Sequence, residues 1–297
     1  MTSFLTEAGQ KLADRWAGSL AVPGLLYLAA VTAAVVLGQR DALNYLQLSH
    51  QIAAWAASPA LKSAGGAALI AAFVLPASVA VGLVASAGGG FIERLWALDG
   101  SRRPARWLAD WRRTRYQKQQ AIADSDTAFD PVAVGKAIMR ADRICLIEPA
   151  CPTWIGDRLR VCHVRVDKSY GLDLTATWPR LWLIVPDTVR AELGTARDAF
   201  NAAARLTAWA VLYLVLGAWW WPAAVIALAT GAVAVTKGRL ATANLADLIE
   251  SAVDLHGAAL AAQLGQQPSG PLSPAVGAQL TARMRKSRWD PDSPLFG

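Results

Sequence analysis

Between Arg205 and Lys237 the chain runs from Leu206 to Thr236 without a charge, and the middle of that run reads GAWWWPAA. As one straight helix it would be about 46 Å long, against a hydrocarbon core of about 30 Å. Basic residues bracket it on both sides, Arg197 and Arg205 before, Lys237 and Arg239 after. Basic flanks stay on the cytoplasmic face of a membrane. A single crossing strands one pair on the wrong side, whereas a hairpin keeps both inside. Pro222 suits the first turn of a new helix, where a missing N–H costs nothing. Trp219, Trp220 and Trp221 suit the water–lipid interface. The run is expected to make two short spans, 203–220 and 222–240, with its tip at Trp219–Pro222. One tilted, kinked span is the competing reading.

Two further uncharged runs, Trp16–Gln39 and Ser63–Ile92, also exceed the length of about 20 residues that crosses a bilayer. With 54% hydrophobic and 17% charged residues and a mean hydropathy of +0.30, the chain reads as an integral membrane protein. The first run follows Glu7, Lys11, Asp14 and Arg15, and no small-x-small cleavage site comes after it. It is expected to be an uncleaved anchor. With both termini inside, the outer segments are Arg40–Lys62 and the tryptophan tip, which hold 2 of the 29 Lys and Arg residues. That asymmetry supports four spans with cytoplasmic termini. Within the outer segment, Leu43, Leu46, Ile52 and Trp55 form a loose apolar stripe. A short helix lying on the membrane surface, anchored by Trp55, is expected there.

The expected fold class is an all-α integral membrane protein with a small, mainly helical cytoplasmic domain. Residues 1–92 form an N-terminal membrane pair, with spans at 17–38 and 66–90, and residues 93–186 form the cytoplasmic domain. Residues 187–265 make a long helical hairpin, and 266–297, rich in Pro, Ser and Gly, are read as a mobile tail. The cytoplasmic domain opens on a dense basic stretch, RRPARWLADWRRTRYQK. Trp107, Leu108 and Trp111 share one helical face, among Arg102, Arg103, Arg106, Arg112, Arg113, Arg115 and Lys118. Beside a membrane this reads as an interfacial helix, with those arginines and the two tryptophans on anionic headgroups. No stacking platform or reading motif favours nucleic acid.

Residues 153–170 fit a helix through Ile155, Leu159, Cys162, Val166 and Tyr170, better than a strand. Thr153 is its N-cap and Gly171 its C-cap. The following TWPRLWLIVPD is expected to be a short segment broken by Pro179 and Pro186. A helix then starts at Asp187 and runs to the tryptophan tip, and a second continues from Pro222 to Gly265. On that second arm Asp247, Glu250 and Asp254 make an acidic stripe. It faces Arg190 and Arg197, or the basic helix, or solvent.

Catalytic chemistry finds no foothold. Cys145, Cys151, Cys162 and His163 match no zinc spacing, and three buried thiols are expected instead. No nucleophile elbow, Walker loop or dinucleotide fingerprint occurs. No cofactor and no catalytic or metal-binding residue is assigned. The span interiors lack ionisable groups, which argues against a coupled transporter. Their small residues favour close helix packing within one chain or between copies. Ser78, Thr207 and Thr230 either line a narrow pore or bond to nearby backbone.

Pro152, Thr153, Gly156, Asp157 and Arg160 in PTWIGDRLR, then Tyr170, Gly171, Trp178, Pro179 and Arg180 in YGLDLTATWPR, resemble a recurrent pattern. It is the PTRxGNxLR…YGLD…WPRLW motif of uncharacterised bacterial, mainly actinobacterial, membrane proteins, where a hydrophobic hairpin with a W-W-P turn follows. Here Trp154 stands in place of the pattern's arginine and Asp157 in place of its asparagine. The resemblance implies a multi-pass protein of the bacterial cytoplasmic membrane and no particular activity. The expected function is a non-enzymatic, homo-oligomeric membrane component that forms a pore or acts on the membrane. A scaffold that docks a soluble cytoplasmic partner is the alternative, and a membrane-bound enzyme comes third.

Overall fold

The computed structural model describes residues 21–101, 103, 105–124, 131–266 and 272–285. Among these every regular element is helical. They are α1 (Val22–Leu37), α2 (Tyr45–Ala57), α3 (Pro59–Lys62), α4 (Ala64–Trp96), α5 (Ala105–Ala123) and α6 (Pro131–Ile144). Then come α7 (Trp154–Tyr170), α8 (Leu174–Ile184), α9 (Asp187–Gly217), α10 (Trp221–Gln263) and α11 (Pro274–Arg285). Three of them, α4, α9 and α10, are long and apolar enough to cross a membrane. The apolar α1 has 16 described residues, shorter than a full span. The chain divides into two compact units, Met1–Glu93 with Asn201–Thr236, and Arg94–Phe200 with Lys237–Gly297.

The first unit owes its cohesion to close backbone approach. A Cβ on Gly24 of α1 would lie 2.0 Å from the Ser78 carbonyl oxygen of α4. A Cβ on Gly89 would lie 2.8 Å from Arg205 Cγ on α9. Only glycine lets these helices meet so closely, the packing mode expected where apolar burial gives no net gain. Tyr27 packs edge-on against Tyr213 at 5.3 Å between ring centroids, and its hydroxyl donates to the Leu212 carbonyl. Outward, α4 is almost wholly exposed: only 11% of its most apolar window is buried, and Leu69, Phe73 and Val84 stand free. An exposed apolar surface of this extent belongs in hydrocarbon rather than water.

The expected tip is a turn. Helix α9 ends at Gly217 and α10 begins at Trp221, with Pro222 in its first turn. Gln39 Nε2 donates to the Ala218 carbonyl at 2.8 Å, and Trp220 Nε1 to the Ala42 carbonyl at 3.0 Å. The tip and the end of α1 are thus tied together.

The second unit has a conventional core. Cys162, Val166, Leu172, Leu174, Leu181, Val253, Leu260 and Leu280 form one buried cluster from α7, α8, the turn between them, α10 and α11. Helix α7 starts where the sequence predicts, with the Thr153 hydroxyl accepting from Gly156 N at 2.9 Å. It stops at Gly171, whose φ of +66° favours glycine.

Two expectations change here. TWPRLW is helical throughout, and α8 continues through Pro179. Asp173 caps Thr175 N, and Leu174, Thr177 and Leu181 are buried on one face, which outweighs the single hydrogen bond that proline removes. The segment from 266 onward, expected to be loose, contains the packed helix α11, with Gly277, Leu280 and Met284 buried. A Cβ on Gly277 would sit 1.7 Å from the Tyr170 carbonyl oxygen, so only glycine allows this crossing. Thr281 accepts from Asp173 N and donates to the Gly171 carbonyl, both at 3.0 Å. Residues 267–271 and 286–297 lie outside the described residues.

Candidate functional site

The basic stretch folds as α5, a helix with a divided surface. Ala105 and Ala109 are buried, and Arg112 and Tyr116 continue that side. The opposite side carries Trp107 at 71% exposure, Leu108 and Trp111. Arg103, Arg106, Arg115 and Lys118 are exposed around them. The Arg115 guanidinium lies 4.3 Å from the centre of the Trp111 ring, a cation–π contact on the exposed side of the helix. Arg106 is 3.8 Å from Asp110 one turn on, a solvent-screened pair of little energetic weight. Two large aromatic faces in a ring of cations match the geometry of an interfacial helix.

Not every arginine of the stretch belongs to that face. Arg102 lies outside the described residues. Arg112, expected on headgroups, turns inward: its Nη1 is 2.7 Å from Asp157 Oδ2 and donates to the Cys151 carbonyl at 2.8 Å. Its Nη2 donates to the Ile144 carbonyl at 3.0 Å. Arg113 is shared between Asp110 at 3.1 Å and Glu148 at 3.4 Å. Successive residues on a helix point about 100° apart, so a run of arginines serves opposite faces.

The motif residues Pro152–Arg160 converge on Asp157, which is fully buried. Its Oδ1 accepts from Ala150 N at 2.9 Å and Cys151 N at 2.8 Å. Arg160 Nε lies 3.6 Å from the same oxygen, and Arg160 also donates to the Glu148 carbonyl. Thr153 Oγ1 donates to the Trp96 carbonyl at 2.8 Å, and Gly156 packs against that carbonyl with no room for a Cβ. Trp154, at the pattern's arginine position, takes the Arg239 guanidinium on its ring at 4.6 Å. The motif thus ties the end of α4, the loop 145–152, α5 and α7 into one buried charged knot. Its second half, Tyr170 to Arg180, forms the seat of α11: Arg180 donates to the Met284 carbonyl at 3.1 Å, and Arg285 meets Asp173 at 2.9 Å. Trp178 and Pro179 lie within α8, with Trp178 against the core and Trp182.

The acidic stripe meets α7, which was not among the partners expected for it. Arg158, only 7% exposed, donates to Asp247 and to Glu250, the latter at 3.3 Å. Arg165 reaches Glu250 at 3.3 Å, and the Tyr170 hydroxyl donates to Asp254 Oδ1 at 2.8 Å. Arg190 instead pairs with Asp187 and donates to the Val185 carbonyl. In the sequence, Arg158 and Arg165 stand seven apart and so share a helix face, a spacing that matches the acidic residues.

Cys145, Cys151 and Cys162 are free and buried, as the sequence predicts. Burial pushes the Cys151 thiol up to about 11 and the Cys162 thiol up to about 12. Both are protonated at neutral pH and poor nucleophiles. Among the spans, Ser78 donates to the Leu75 carbonyl and Thr207 to the Ala203 carbonyl, the backbone alternative to lining a pore. Comparison with protein-family models, with curated proteins and with solved structures finds no match for this chain.

Proposed function

We propose that this chain is a non-enzymatic, multi-pass protein of the bacterial cytoplasmic membrane that works as a scaffold. Four spans anchor a helical cytoplasmic unit, which α5 holds against anionic headgroups, leaving its remaining surface to dock a soluble partner. Both termini are cytoplasmic in this reading, and α1 belongs to the fourth span. The likeness of Pro152–Pro186 to the actinobacterial pattern supports the bacterial membrane reading. The observation that carries the reading is the face of α5: Trp107, Leu108 and Trp111 exposed together among exposed arginines. The ties from Gln39 and Trp220 support a hairpin tip on the same face as the loop after α1.

An oligomeric pore is the second reading. It draws on Gly65 and Gly90, whose Cβ positions meet nothing within 4 Å among the described residues and leave room for a second copy. The hydroxyls of Ser78 and Thr207, engaged on their own helices, weigh against a pore through one chain.

The test uses the full-length protein in vesicles, with a Trp107→Cys variant labelled by a water-soluble maleimide. The native thiols are buried, so the label reports α5. Labelling should be slow in vesicles containing anionic lipid. It should quicken with salt, and in a background of Arg103, Arg106 and Arg115→Glu. Equal rates in anionic and zwitterionic vesicles would refute the headgroup contact. Passage of ions through vesicles holding the purified protein would favour the pore. A stoichiometric soluble protein retained on affinity capture would favour the scaffold.

A further inference from the structure

Helix α2 has 13 residues and not one of them is buried. A helix of that length is marginal in water without a tertiary partner. Asn44 caps its start, its side chain accepting from Gln47 N at 3.1 Å, so the helix is formed and properly begun. Its composition is unusual for an exposed helix: YLQLSHQIAAWAA contains no Asp, Glu, Lys or Arg. Tyr45, Leu48, Ile52 and Trp55 recur at spacings of 3, 4 and 3, within one narrow arc of the helix. Tyr45 is 73% exposed and Ile52 51% exposed. Leu48 is already half-buried, and the rest of the arc is left open to an apolar surface.

Continuity identifies the cover. The loop that leads into α2 is held at the tryptophan tip, through Trp220 Nε1 on the Ala42 carbonyl and Gln39 Nε2 on the Ala218 carbonyl. Trp219 and Trp221 on that tip are themselves exposed. The helices that end there, α1 and α9, carry part of the exposed apolar surface of the first unit, with Val35 on α1 and Leu214 and Val215 on α9. Helix α2 therefore leaves a membrane-spanning bundle at the level where tryptophans meet headgroups.

We propose that α2 lies in the headgroup–acyl boundary on the face of the membrane that carries the tip, with Tyr45, Leu48, Ile52 and Trp55 in the lipid. The occupant is the lipid surface itself. The attraction is apolar and interfacial-aromatic, because the helix offers no charge for anionic headgroups. This sets it apart from α5, whose contact is electrostatic. It rests on the membrane reading above, and not on which side of the membrane the tip occupies.

The experiment places single cysteines at 47, 48, 50, 51, 52 and 55 in the full-length protein. Each is spin-labelled in zwitterionic vesicles, and collision with oxygen is compared with collision with a water-soluble nickel chelate. The expected result is protection from the chelate at Leu48, Ile52 and Trp55, with access at Gln47 and His50. The pattern should follow the helix period and stay unchanged when salt is raised tenfold. Uniform access at all positions would overturn the proposal. So would protection that disappears on diluting the protein in lipid, because that marks a second copy as the cover. An impermeant thiol reagent on an Ala218→Cys variant reads the topology separately, since it reports the side of the tip whatever the depth of α2.

Discussion

The substitution Asp157→Ala isolates what holds the second unit together below its apolar core. Asp157 is completely buried and serves four groups at once: the N–H groups of Ala150 and Cys151, the guanidinium of Arg112 at 2.7 Å and, more distantly, that of Arg160 at 3.6 Å. Removing the carboxylate leaves two N–H donors without an acceptor, at about 1–3 kcal/mol each. It also leaves a nearly buried guanidinium without its counter-charge, a loss of about 3–5 kcal/mol. These overlap, because Arg112 keeps its bonds to the carbonyls of Cys151 and Ile144. A net cost of about 4 kcal/mol for closing the loop 145–152 follows. Cys151 lies within that loop and is 4% exposed, so a thiol reagent reaches it only when the loop opens. At about 1.4 kcal/mol per tenfold, its labelling should speed up about 1,000-fold. Asp157→Asn keeps an acceptor for the two N–H groups and loses only the charge, so about 30-fold is expected, or about 2 kcal/mol. Mass spectrometry of labelled peptides separates the three thiols. Cys162, on α7 against the Ala246 carbonyl, is the internal control. Labelling of Cys151 at the parent rate in Asp157→Ala would refute the reasoning. Equal acceleration of all three thiols would show global unfolding rather than release of this loop.

Further outcomes follow from the same contacts. Thr153→Ala removes the N-cap of α7 and the bond to the Trp96 carbonyl, and should cost about 2 kcal/mol in thermal or denaturant unfolding of the second unit; Thr153→Ser should recover most of it. Gly277→Ala puts a methyl into the Tyr170 carbonyl and should release α11, read as rapid proteolysis between 264 and 274 in a chain whose spans remain protected. For Asp173, burial acts to raise the carboxyl, but hydrogen bonds from Arg285 and from Thr175 N, with the Arg285 charge, outweigh it and hold the group below the usual carboxylate range. A depressed folded value contributes stability that is complete above about pH 4, the unfolded value, and is lost as pH falls through the folded one. The stability gap between the parent and Asp173→Asn should therefore be constant at neutral pH and shrink in acid; a gap independent of pH down to the acid limit would remove Arg285–Asp173 as a clamp on α11.

What could be read ahead of the structure was local. Thr153, Gly171 and Pro222 mark helix ends by chemistry confined to one turn, and each stands at the end it predicts. The length and apolarity of α4, α9 and α10 are likewise properties of contiguous residues. Pro179 misled because its lost hydrogen bond is visible in the sequence, while the burial that compensates for it is not. The segment 274–285 misled because its surroundings are rich in Pro, Ser and Gly, while its packing depends on Tyr170 and Gly171, about a hundred residues earlier.

The charges show the same division. The sequence alone determined that a dense cluster of arginines adjoins a stretch long and apolar enough to cross a membrane and that an acidic stripe lies on the second arm. Only the tertiary structure decided how each is used. Arg112 and Arg115 are three residues apart, yet one is committed to buried Asp157 and the other lies over Trp111 on the exposed face. Asp247 and Glu250 find Arg158 some ninety residues away. A charge in the sequence has a fixed sign, but its partner depends on which face of its helix the fold turns inward, and that is settled by the packing of distant segments.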